Sequence, residues 1–275
     1  MRKYDFNNQE KTLLDSLDID KVTSLIMSLE PHNMGVGLCI IEGVGLPQKL
    51  ITEAFIVYKM SEDAEIRKKA YQLLKAKASP ELLQVIKNRS RLNKKGTLSY
   101  KDKKKYEQLL IDYTKDSGLD IGKLAYALYM RNNICMPLAL QFAHFEYQKN
   151  MLAKNIKNNA LSLGDSAQLK VFPMALLAFK ALRSIQIRVR IGEWKNDIWH
   201  KNNDFVIPKE LIQLENLAEL EIMYYGFETL PLETLAAMKK LKRLVLYIGK
   251  DYSIEGAKAA LAHIPDLHIS SCIED

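Results

Sequence analysis

Cysteine, histidine and long apolar runs are all scarce in this 275-residue chain. Its three cysteines, Cys39, Cys135 and Cys272, are too few and too far apart for a disulfide framework or a cysteine zinc site. The five histidines, His32, His144, His200, His263 and His268, stand at no metal spacing such as H-E-x-x-H. No run approaches the roughly 18 to 20 apolar residues that cross a bilayer, and the opening twenty residues lack the apolar core of a signal peptide. A cytoplasmic, reducing setting without membrane contact is the expectation. The glycine pairs Gly35/Gly37 and Gly43/Gly45 are followed by no G-K-[ST] and preceded by no strand. They fit helix breaks and close helix packing better than a phosphate loop. Gly164-Asp165-Ser166 lacks the G-x-S-x-G frame of a nucleophile elbow, and no two carboxylates stand out as an acid/base couple. The chain is therefore read as a non-enzyme, with no catalytic residue, no cofactor and no metal.

What is present is an ordinary globular mix, 48% hydrophobic and 27% charged, with a net charge of +7. The length suits one large domain or two ordinary ones, and two rhythms divide it near residue 152. In the second part, apolar-x-apolar doublets recur at Leu161/Leu163, Ile185/Ile187, Leu220/Ile222, Leu244/Leu246 and Leu267/Ile269. They are separated by 24, 35, 24 and 23 residues, a period near 24 carrying one insertion. A doublet of period 2 suits a short strand with two inward side chains. Apolar-Pro pairs precede helical stretches at Phe172-Pro173, Ile207-Pro208 and Leu230-Pro231, where proline suits a helix first turn. Leu182, Leu217 and Leu241 follow the prolines, and Ile264 follows Ile254-Glu255 in the last unit.

With Leu217-Leu220-Ile222 and Leu241-Leu244-Leu246 forming L-x-x-L-x-L cores, the region from about 156 to 275 resembles the leucine-rich repeat family. The resemblance implies a curved solenoid with one short parallel strand per repeat on its concave side. The turn position that the family fills with Asn, or sometimes Cys, holds Ser166, Arg190, Tyr225, Gly249 and Cys272 here, which implies a short, degenerate version.

Residues 1–152 lack strand-like alternation and carry helix-start signals. Ser79-Pro80-Glu81 resembles an N-cap, an N1 proline and a first-turn acid. Ser99-x-x-Asp102 resembles a capping box, and Tyr106, Leu109, Leu110 and Tyr113 continue it as an apolar stripe. Ile66, Ala70, Leu73 and Leu74 form another. Two segments, 24–41 and 127–142, read helix, break at Asn33 or Asn133, helix. The rhythm is weakly similar to HEAT-like helical repeats. The expected fold class is α/β: an all-α array over 1–152, then a leucine-rich repeat solenoid of short parallel strands over 153–275, with an insertion around 191–205.

Three surfaces emerge as binding candidates. On the repeat face, the side chains between the doublet positions form a column, Ser162, Gln186, Glu221, Val245 and His268, flanked by Glu219, Arg243, Arg188, Met223 and Tyr247. A mixed face with Arg, Met and Tyr suits protein recognition. The insertion carries both tryptophans, Trp194 and Trp199, with His200 beside them, and tryptophan is enriched at binding hot spots. A protein partner that uses this face and the insertion is the leading expectation. The alternative is nucleic acid or another polyanion held by the segment 87–105. Its cations are Lys87, Arg89, Arg91, Lys94, Lys95, Lys101, Lys103, Lys104 and Lys105, and with one acid its net charge is +8. The other 256 residues together carry about −1, so the basic balance belongs to this one segment.

Overall fold

A computed structural model describes residues 18–93, 98–164, 169–189, 192–195, 198–201, 205–223, 230–248 and 253–271. It is mixed α/β: helices occupy the first part and strands dominate the second. Two compact units divide the chain, 1–142 and 143–275.

In the first unit α1 (Ile19–Met27), α2 (Pro31–Val44), α3 (Ile51–Met60), α4 (Ala64–Lys77) and α5 (Pro80–Lys87) are followed by α6 (Tyr100–Thr114), α7 (Ile121–Asn132) and α8 (Met136–Phe142). Local chemistry sets their starts. Asp18, Asp63, Ser79, Ser99 and Asp120 each accept a backbone N–H of the following first turn. Ser99 also donates to Asp102 Oδ2 at 2.8 Å, so the acid braces the cap hydroxyl rather than the cap N–H of a standard capping box. Asn133 takes a left-handed conformation and ends α7 (φ 54°). The expected break at Asn33 falls instead at Ser28–Glu30, because Pro31 at N1 restarts the helix two residues earlier.

The core of this unit is α3. Nine of its ten residues are buried, including Phe55, Ile56 and Val57 at 0% exposure. It packs against α4, α7 and α1, while α2 packs on α1 and α4. A helix buried on nearly every side has no polar face to spend, so its charged residues need partners. Gly35 and Gly37 lie inside α2 rather than at breaks. A Cβ at Gly37 would come within 2.9 Å of the buried Ile26 side chain, so glycine there is a close-packing residue.

The second unit opens with α9 (Phe145–Asn155), which packs on strand β2 and on a 3-10 turn at Met174–Ala178. The sequence rhythm divides the chain at 152, but these contacts carry α9 with the strands. A six-stranded sheet follows in the order β1 (Ile156–Lys157), β2 (Ala160–Leu163), β3 (Ser184–Arg188), β6 (Glu219–Met223), β7 (Arg243–Ile248) and β8 (Asp266–Ser271). From β2 to β8 all neighbours are parallel. β1 is an added antiparallel strand, joined to β2 through Asn158 and Asn159, both at positive φ. Asparagine tolerates that conformation, which a two-residue hairpin requires.

The doublets fall in register. Leu161, Ile185, Leu220, Leu244 and Leu267 pair across the sheet, as do Leu163, Ile187, Ile222, Leu246 and Ile269. All are buried except Leu267, which is half-buried. The return segments are shorter than the helices expected after each proline. Two are single 3-10 turns, Met174–Ala178 and Lys209–Gln213, and two are short helices, α10 (Leu232–Ala237) and α11 (Ile254–Ala260). Pro173, Pro208 and Pro231 cap them from the preceding position instead of occupying N1. A period near 24 residues leaves little length for a longer helix. Leu182, Leu217, Leu241 and Ile264 are buried beneath these segments.

Candidate functional site

The sheet has one face on the core and one outward. Burial alternates along β2, β3 and β6, with Leu161, Ile185, Leu220 and their partners inward. The outward residues line up because the parallel register has no slip. Ser162, Gln186, Glu221, Val245 and His268 form one row, and Ala160, Ser184, Glu219, Arg243 and Asp266 another.

These rows are linked side chain to side chain. Ser162 donates to Gln186 Oε1 at 2.7 Å, and Gln186 Nε2 donates to Glu221 Oε1 at 2.9 Å. Arg243 pairs with Asp266 at 3.0 Å, both ends exposed, a surface pair of small energetic weight. Tyr247 stands edge-to-face with His268, centroids 6.3 Å apart. Val245 is 6% exposed although it belongs to the outward row. Arg188 pairs in register with Met223 at the C-terminal ends of β3 and β6. The face therefore has a polar half, fixed by hydrogen bonds, and an aromatic half at β7 and β8. No cavity is needed for what such a strip offers, which is shape and a set order of donors and acceptors.

The insertion is a two-stranded antiparallel hairpin, β4 (Gly192–Lys195) and β5 (Ile198–Lys201). Its register sets Trp194 opposite Trp199 and Glu193 opposite His200. The turn positions Ser166, Arg190, Tyr225, Gly249 and Cys272 lie outside the described residues.

The basic segment splits in two. Lys87, Arg89 and Arg91 are exposed at and after the end of α5. Lys94 and Lys95 lie outside the described residues. Lys101, Lys103, Lys104 and Lys105 fall in the first turns of α6, with Lys103 half-buried and the others exposed. Lys87 and Arg89 line a groove with Tyr58, Arg67, Lys68 and Tyr71, which the linear segment does not reveal.

Two buried charges in α3 were also not singled out by their spacing. Glu53 is 0% exposed, and its Oε1 meets Lys123 Nζ of α7 at 2.5 Å. Its Oε2 has no hydrogen-bond partner among the described residues. Lys59 is 2% exposed. Its ammonium donates to the Asn88 carbonyl and faces the rings of Phe55, Tyr58 and Tyr113 at 5.5, 4.9 and 5.4 Å. Burial pushes its pKa down to about 8. Burial likewise pushes the Tyr113 hydroxyl up to about 12 and raises the Cys135 thiol. Cys135 is thereby held as an unreactive thiol. These groups tie α3 to its neighbours, and their inaccessibility suits structural roles.

Among the described residues, no three His, Cys, Asp or Glu side chains cluster to hold a metal, and no helix is long and apolar enough to cross a membrane. The chain matches no family model, no curated protein and no solved structure.

Proposed function

We propose that the chain is a non-enzymatic, cytoplasmic scaffold that binds a protein partner. In this reading the second unit is a short leucine-rich repeat solenoid, and the first a HEAT-like helical platform. The partner lies along the concave face, on Gln186, Arg188, Glu219, Glu221, Met223, Arg243 and Tyr247. The insertion, with Trp194, Trp199 and His200, extends the contact. The observation that carries the reading is the aligned outward row, in which Ser162, Gln186 and Glu221 are already hydrogen-bonded to one another. Side chains ordered before binding lose less entropy when a partner arrives. Magnitude explains the insertion: five parallel strands about 4.8 Å apart span only about 20 Å. That is narrow beside the roughly 800 Å² each partner buries in a stable interface.

A pull-down from lysate tests it. The Glu219→Lys, Glu221→Lys, Arg243→Glu variant is expected to lose a protein that the wild type retains. Trp194→Ala with Trp199→Ala is expected to weaken the same capture without changing the melting temperature. An unchanged set of retained proteins contradicts the reading, as does a large stability loss in the Trp variant with capture unaltered.

A second reading, polyanion binding through residues 87–105, is favoured by one observation: Lys87 and Arg89 line a groove with further cations from α4.

A further inference from the structure

Four cations and two tyrosines, from three stretches of chain, meet at one groove of the first unit. Its volume is about 500 Å³, within the range of small-ligand sites. Tyr58 comes from α3, Arg67, Lys68 and Tyr71 from α4, and Lys87 and Arg89 from the end of α5 and just beyond. Among the described residues, no Asp or Glu lines it. Positive side chains around one space without a counter-charge create a field that draws anions.

The walls differ in how they are held. Arg67 Nη1 donates to the carbonyls of Ser61 and Glu62 at 3.0 and 2.7 Å, which fixes its guanidinium. Lys68, Lys87 and Arg89 are exposed. The Tyr58 hydroxyl donates to the Ile86 carbonyl at 3.3 Å, and the Lys59 ammonium lies 4.9 Å from its ring. Tyr58 is thus anchored. Tyr71 packs on it, centroids 5.6 Å apart and planes at 38°, and stays 37% exposed. An anchored ring carrying an exposed one is a stacking platform. Aromatic faces with cations beside them match the alternation of bases and phosphates in an unpaired strand. A duplex keeps its bases stacked on each other and offers no face to Tyr71, and the Asp and Glu side chains of an acidic peptide have no flat ring to lay on it.

We infer that this groove binds single-stranded nucleic acid, with a base on Tyr71 and the flanking phosphates on Arg67, Lys68, Lys87 and Arg89. The inference rests on the polyanion reading and deepens it. It moves the site from the linear segment 87–105 to a groove shared with α3 and α4.

Anisotropy of a short fluorescein-labelled oligothymidylate, titrated with the full chain, tests it. With three or four phosphates engaged at a slope of about 0.7 each, affinity should fall about 20- to 50-fold between about 50 and 200 mM salt. Losing one stacking ring should weaken binding by about 5- to 150-fold in Tyr71→Ala, and Tyr71→Phe should restore it. Lys87→Glu with Arg89→Glu should cost about tenfold or more, and replacing Lys101, Lys103, Lys104 and Lys105 by Ser less than about threefold. Thermal melts confirm that each variant is folded. If neither the oligonucleotide nor inorganic polyphosphate binds at the lower salt, the polyanion reading and the groove both fall. If the oligonucleotide binds but the groove variants bind equally well, or only the α6 variant loses affinity, the groove assignment falls alone. Loss with the charge reversals but not with Tyr71→Ala overturns the stacking assignment.

Discussion

Lys123→Ala is expected to cost the first unit about 3–5 kcal/mol, the penalty of leaving a buried charge without its partner. The charge at stake is Glu53, with no exposed surface and, among the described residues, a single ion-pair contact, to Lys123 at 2.5 Å. Lys123 lies in the first turn of α7, whose start is fixed twice. Asp120 accepts the Lys123 N–H at 3.0 Å, and the Asp120 N–H donates to Thr52 Oγ1 beside Glu53. The helix start thus sets the Lys123 backbone within reach of the carboxylate. Removing both charges should be far milder than removing one, because the desolvation cost disappears with them. Glu53→Met with Lys123→Met is expected to lie within about 1 kcal/mol of wild type. Urea unfolding of the single and double variants measures this. A loss below about 1 kcal/mol in Lys123→Ala would mean that water reaches Glu53 and that the pair is unimportant.

The second large effect is a rise in stability with pH. Burial holds the Lys59 pKa at about 8 in the folded chain, against about 10.4 for an unfolded lysine. Between these values the unfolded state binds more protons, so stability increases as pH climbs through the window. Below pH 8 both states are protonated and the folded protein carries the full cost of the buried ammonium. At about 1.4 kcal/mol per unit of separation, the gain by pH 10 is about 2–3 kcal/mol. The three ring faces and the Asn88 carbonyl favour the charged form and keep the gain from being larger. Above pH 10 the trend reverses. Burial raises the Tyr58 and Tyr113 hydroxyls, so the unfolded state ionises first there. Urea midpoints at pH 7.5, 8.5 and 9.5 should rise for wild type, and Lys59→Met should lack about 2 kcal/mol of that rise. A wild-type stability that falls over this range, in step with the variant, would contradict the assignment to Lys59.

The parallel rows were legible because period 2 and a constant spacing survive in one dimension. Leu161, Ile185, Leu220, Leu244 and Leu267 pair across the sheet as their spacing implies. The capping signals at Ser79 and Ser99 were legible for the same reason, since a cap hydroxyl and the backbone N–H that donates to it lie three residues apart. What was lost is long-range or energetically ambiguous. β1 is two residues long and shows no alternation; its one signal was the Asn158-Asn159 pair, which suits a tight hairpin. The break expected at Asn33 moved because Pro31 is the stronger punctuation. The groove joins Tyr58, Tyr71 and Arg89 from three stretches of chain, and nothing in a linear scan brings them together. Arg67, Lys68 and Tyr71 do share a helix face at short spacing, a hint overshadowed by the denser lysines of 87–105. Glu53 and Lys59 look like ordinary surface charges until α3 is seen to be enclosed.

Photo-crosslinking on the sheet face tests the scaffold proposal most directly. A benzophenone side chain placed at Met223 or Tyr247 is expected to trap the same discrete partner protein. One placed at Ile212 or Lys239, exposed in the connecting segments, is expected to trap none of it. Capture from Ile212 and Lys239 with none from Met223 and Tyr247 would contradict the account and put the binding surface elsewhere.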